Sequence, residues 1–161
     1  MKPLLMIIAI ALVTGCAPQT QKVENKPPHM AKLVDNKELT TYLSFESLSL
    51  YNGNPHLRQF YLINNYKQPS VISKDKGITI RSSHAINVVN CERLERAIFD
   101  RVYFSETFGK GKVIAKRESI GQWESFPENS IAGIIREMVC KIPAEKLKNL
   151  SLKNDQQPLI D

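Results

Sequence analysis

Hydrophobic and polar positions follow four successive rhythms along the chain. Residues 4–13 form an unbroken apolar run. Residues 17–30 hold few apolar side chains, and Pro18, Pro27 and Pro28 forbid regular structure there. From residue 40 to residue 115, short runs rich in β-branched and aromatic side chains are separated by turn residues. After residue 130, apolar side chains recur at helical spacing.

The middle of the chain predicts a sheet. Residues 40–45 read as a strand and 46–50 as a second short piece. Asn52-Gly53-Asn54-Pro55 is a turn, because Asn and Gly accept positive φ cheaply. Residues 57–66 return as a long strand that Gln68-Pro69 ends, so the two pieces form a hairpin. An exposed loop follows at 73–77, then a short strand at 78–80. Residues 84–90 make another strand, with Ala85, Asn87 and Val89 on one face and Ile86 and Val88 on the other. Residues 97–104 place Ile98, Val102 and Phe104 on one face and Phe99 and Tyr103 on the other. Two glycines in 108–113 predict a bend before a last strand at 113–115.

One segment is helical. Asn129 or Ser130 caps it, and Ile131, Ile134, Ile135, Met138 and Val139 form the stripe expected to pack on the sheet. Cys140 lies on the side of Gly133, so either the helix loosens before it or the glycine lets a strand approach closely. Pro143 ends the helix, and residues 144–150 predict one more short helical piece before a loose end. The expected fold is therefore α+β: an antiparallel β-sheet of about six strands with a C-terminal helix packed on one face.

The leading segment changes the picture. Met1-Lys2-Pro3 is charged, the run behind it has ten apolar residues, and Thr14-Gly15-Cys16 follows. Ten residues fall well short of the roughly 20 that a spanning helix needs, so residues 1–15 read as an export signal. Val13-Thr14-Gly15-Cys16 is similar to a bacterial lipobox, in which the Cys thiol takes diacylglycerol and the chain is cut before it. The expected organisation is a signal peptide at 1–15, lipidated Cys16 and a tether at 16–31, one domain at 32–142 and a polar tail at 143–161. The processed chain has 146 residues, with 21 basic against 16 acidic side chains. That excess favours acidic glycans or anionic lipid as partners, and export argues against nucleic acid. With Cys16 acylated, Cys91 and Cys140 remain, and an oxidising compartment predicts that they pair. The bridge stabilises the fold by roughly 4 kcal/mol on the chain-entropy argument.

Catalytic patterns are missing. No Ser sits in a G-x-S-x-G turn, and there is no H-E-x-x-H, Cys-x-x-Cys or dinucleotide fingerprint. Gly109-Lys110-Gly111-Lys112 lacks the spacing of a phosphate loop and reads as a basic turn. Glu92, Arg93, Glu95 and Arg96 read as a solvated strand edge. His56 and His84 hold a metal or haem only if the fold brings them together. Trp123 is expected to seat a loop on the core. No enzyme activity, cofactor or metal is expected. The candidate binding residues are the loop-borne cations Lys67, Lys74, Lys76, Lys110, Lys112, Lys116 and Arg117.

Several segments together resemble the surface-adhesin protein E family. They are Asn90-Cys91 through Tyr103-Phe104, Phe108-Gly109-Lys110-Gly111-Lys112-Val113, Trp123, Phe126-Pro127, residues 135–141, and Tyr66-Lys67-Gln68-Pro69 in the front half. Order and spacing over residues 38–142 carry the resemblance. It implies a small outer-membrane lipoprotein of Gram-negative bacteria, with a six-stranded antiparallel sheet and a helix tied to it through Cys91 and Cys140. It also implies an adhesin for host matrix or serum proteins such as vitronectin and laminin, with homodimer formation and haem binding among the properties of the family. Ala17 after Cys16 fits sorting to the outer membrane.

Overall fold

The computed structural model describes residues 26–74 and 76–149. Six strands run in chain order across one antiparallel sheet: β1 (Met30–Asp35), β2 (Leu39–Leu50), β3 (Leu57–Ser73), β4 (Ile78–Asn90), β5 (Glu95–Phe104) and β6 (Val113–Ile120). A two-residue β7 (Glu124–Ser125) pairs with β5 beyond the end of β6. One helix, α1 (Ile131–Cys140), follows. The result is the expected α+β sheet with a C-terminal helix.

Several elements are longer than the sequence pattern implies. Residues 39–50 form a single strand, because a register shift between Ser44 and Ser49 absorbs the break. Gln68-Pro69 does not end β3: the strand continues to Ser73, and Ser70 and Val71 pair with Ile80 and Thr79. The pairing of β2 stops at Tyr66 and that of β5 at Ser82. Residues 68–73 and 78–81 therefore form a two-stranded arm beyond their neighbours. Proline is tolerated there, where no outer strand needs its missing N–H. β1 begins at Met30, inside the expected tether.

Both faces of the sheet are covered, by different means. On one face α1 packs over Leu43, Leu48, Phe60 and Val89 through Ile135 and Val139. The stripe expected to do this is wrong by part of a turn: Ile131 and Ile134 are about half exposed, and Ala132 is buried instead. Gly133 explains the rotation. The carbonyl oxygen of Glu128 crosses the helix there, at 1.8 Å from where a Cβ would stand. A backbone does approach on the glycine side, but it belongs to the preceding loop and not to a strand. The rotation brings Cys140 round to Cys91, and the two form a disulfide with Cα atoms 5.6 Å apart. Arg136 adds hydrogen bonds to the carbonyls of Asn90 and Cys91.

On the opposite face the β5–β6 connection folds back over the sheet. Phe108 packs on Tyr42 with ring centroids 5.2 Å apart, and its N–H donates to Asn65 Oδ1 at 2.7 Å. His84 stacks on Tyr61 and meets the edge of Phe104. After α1 a 3-10 turn at Ala144–Lys146 replaces the expected helical piece. Leu147 then packs on the helix-side core, and the Leu50 N–H donates to the Lys148 carbonyl. Trp123 stays nearly half exposed and does not enter the core.

Candidate functional site

Strand direction decides which cations meet. The β1–β2 turn, the β3–β4 arm and the β5–β6 connection all lie at one end of the sheet, because Leu39 pairs with Tyr66 and Ser82 with Phe104. This end gathers exposed Lys37, Lys67, Lys74, Lys76, Lys110 and Lys112. The opposite end carries the disulfide and the β2–β3 and β4–β5 turns. There His56 Nδ1 lies 3.1 Å from Glu92.

The candidate cations are not equivalent. Lys74, Lys76, Lys110 and Lys112 sit on exposed connections, as expected. Lys67 belongs to β3 and not to a loop, and its Nζ lies 2.7 Å from Asp35 Oδ1. Lys32 reaches the other oxygen of Asp35 at 3.0 Å. Hydrogen bonds from Lys67, then Lys32 and Thr40, hold the Asp35 carboxyl well below the usual carboxylate range. Lys116 and Arg117 are also strand residues, in β6, two and three strands away from the arm. His56 and His84 are kept apart. Leu57, next to His56, pairs with Asn90, six residues and about 20 Å along β4 from His84.

A second feature has no signature in the sequence. One register row runs Ala31, Leu43, Leu62, Ala85, Arg101, Arg117 across the six strands. Residues in register share a face, so the row starts apolar beneath α1 and ends in two adjacent arginines beyond it. The bulge in β5 causes this. Its pairing with β4 skips Asp100, which places Ile98 on the helix side and Val102 and Phe104 on the other. The expected grouping of Ile98 with Val102 and Phe104 is therefore incorrect. The arginines line an open groove of about 520 Å³ with Ile98, Tyr103, Ile120 and Gln122. Two acids also line it. Glu124 pairs with Arg96 at 3.6 Å, and Glu118 has no such partner among the described residues. Gly121 turns the chain at its end, with φ +62° and the Phe99 ring 2.2 Å from where a Cβ would stand.

Arg58 is a structural cation the pattern missed. It is buried, donates to the carbonyls of Pro55 and Ile142, and is pushed down in pKa by desolvation. It ties the β2–β3 turn to the end of the helix segment. Among the described residues no three His, Cys, Asp or Glu side chains are placed to hold a metal ion, and no helix is long and apolar enough to cross a membrane.

Sheet, tied helix and open charged surfaces define a class: a small single-sheet α+β domain with charged surfaces open to solvent. The chain belongs to the surface-adhesin protein E family, whose model matches residues 29–141. Its fold is similar to solved structures of Haemophilus influenzae protein E. A selenomethionine form matches with TM-score 0.63 and 15% identity, over 76% of this chain and 94% of that one. Protein E from a non-typeable strain gives 0.63 and 17%, over 73% and 79%. A third gives 0.64 and 16%, over 75% and 90%.

Proposed function

We propose that this protein is an outer-membrane lipoprotein that acts as a non-enzymatic surface adhesin for host extracellular-matrix or serum proteins. Membership of the surface-adhesin family carries the reading. The anchor is Cys16, and the residues that follow it are the tether. The polarity of the domain supports it. β1 runs from Met30 toward the turn before β2, so the first strand enters the sheet on the side away from the end that gathers Lys74, Lys76, Lys110 and Lys112. A chain held from its tether turns that cationic end outward, toward acidic polymers or acidic protein surfaces.

Accessibility on intact cells tests the display. Antibody or protease added to whole cells, beside cytoplasmic and periplasmic controls, is expected to reach the domain. Full protection would retire the adhesin and leave an accessory envelope lipoprotein facing the periplasm. Metabolic labelling with a fatty acid tests the anchor: Cys16→Ser is expected to abolish the label.

A further inference from the structure

We infer that the part of the helix-side sheet face beyond α1 is a docking strip for an acidic saccharide chain of the host surface. This deepens the adhesin reading by naming a ligand class, and it rests on that reading only for the source of the saccharide.

Register assembles the strip. α1 packs over Leu43, Leu48, Phe60 and Val89. Beyond these, on the same face, Ala85 pairs with Arg101 and Arg101 with Arg117, while Ser83 pairs with Tyr103 and Tyr103 with Ala115. Alternation along β4 puts Arg81 on this face beside Ser83. Tyr66 closes the strip on the β3 side, where its hydroxyl lies 3.1 Å from Ser83 Oγ. Three arginines and two tyrosines from four adjacent strands thus share one surface, about 15 Å across at the usual strand spacing.

Three observations point to a ligand. First, the groups are free. Arg81 and Arg117 are exposed, Arg101 and Tyr103 are half-buried, and none of these four side chains has a hydrogen-bond or ion-pair partner among the described residues. Second, the charge is unbalanced. Arg101 and Arg117 stand directly opposite each other, and like charges in that position destabilise a pair of strands. The acids lining the two grooves on this strip are Glu38, Glu118 and Glu124, of which Glu124 is taken by Arg96 and Glu38 lies beside Lys37. A guanidinium takes a carboxylate through two parallel hydrogen bonds, so acidic groups on a bound chain fit the arginines. Third, the shape is open. Tyr103 stands in a row between two small residues, Ser83 and Ala115, and it lines the groove of about 520 Å³, while Tyr66 lines another of about 460 Å³. A tyrosine offers an apolar ring and a polar tip, which suit the apolar face and the hydroxyls of a sugar. A saccharide fits better than a peptide. β4 and β5 are interior strands, paired on both sides, so their backbone has no ladder left for an added strand. A chain that crosses them is read by side chains alone.

The full-length protein in detergent is titrated with a fluorescent heparin-derived tetrasaccharide. Controls are its desulfated, carboxyl-reduced counterpart and an oligoglutamate peptide of equal charge. The acidic saccharide is expected to bind and the neutral one not to. Arg117→Glu is expected to weaken binding at least about tenfold. It places an acid opposite Arg101, so its melting temperature is expected to equal or exceed that of the parent, which separates lost binding from lost fold. Tyr103→Ala is expected to weaken binding at least about threefold, at high salt as at low, because a ring contact is not screened. Tyr103→Phe keeps the ring and is expected to retain most of the affinity. Lack of binding at millimolar saccharide overturns the proposal. So does binding that ignores both Arg117→Glu and Tyr103→Ala, or oligoglutamate that displaces the saccharide at equal concentration, which would make the strip a plain anion or peptide surface. The adhesin reading fails separately, on protection of the domain in intact cells, and that result leaves binding by the purified protein untouched.

Discussion

Gly133 stands where a loop carbonyl crosses a helix, and no other residue fits without moving one of them. An Ala Cβ would lie 1.8 Å from the Glu128 oxygen, which is backbone and cannot rotate away. Gly133→Ala is therefore expected to destabilise the domain by roughly 1–3 kcal/mol, read from the urea midpoint, although Ala favours helix elsewhere. Asp35 gives a pH prediction. Lys67, Lys32 and Thr40 lower its folded pKa, so its contribution is present above the unfolded value, about 3.9, and is lost as pH falls through the folded one. The parent is expected to lose more stability than Asp35→Asn as pH drops below about 4. Equal acid sensitivity in thermal melts would remove Asp35 from the account. The effect is small, because the carboxylate is exposed to solvent and water screens it. The sequence marked Gly133 as a place of close approach but not what approaches it, and Asp35 was not legible at all, since each owes its role to a partner placed by the fold.

At the scale of elements, the helix and the bridge act as one unit. Cys91 and Cys140 are 49 residues apart, and closing that loop is worth roughly 4 kcal/mol in the unfolded chain. Cys91→Ser with Cys140→Ser is expected to lower stability by about that amount, with the sheet signal in circular dichroism retained below the new midpoint. The pairing itself followed from cysteine number and export. The face of α1 did not: spacing favoured Ile131 and Ile134, and the crossing at Gly133 turned the helix toward Ala132, Ile135 and Val139. On the sheet, Arg117→Glu exchanges a like-charge cross-strand pair for an opposite one. It is expected to raise stability by about 0.2–1 kcal/mol, measured by thermal melt at low salt, where surface charge is least screened.

At the scale of the whole molecule, the charges that matter are those the topology collects. Lys74, Lys76, Lys110 and Lys112 come from two connections far apart in the chain, brought to one end of the sheet by antiparallel pairing. Replacing all four by Ser is expected to cut retention on immobilised heparin and to flatten its dependence on salt, with stability unchanged. Lys67→Ser is expected to do less, because Asp35 already neutralises that side chain. The sequence by itself determined the α+β class, the order of most strand segments, the single helix, the cysteine pair and the basic balance, because each is written in local periodicity or in composition; it did not show β1, which lies inside the expected tether, or that residues 39–50 and 78–90 each run as one strand. Only the tertiary structure decided that β3 and β4 run on into a projecting arm, that Trp123 stays exposed, and that Arg101 faces Arg117. Those outcomes depend on register, and one bulged residue in β5 is enough to turn the following side chains to the other face. Periodicity cannot reveal such a bulge, because the preference for it lies in the neighbouring strands and not in the segment that bends.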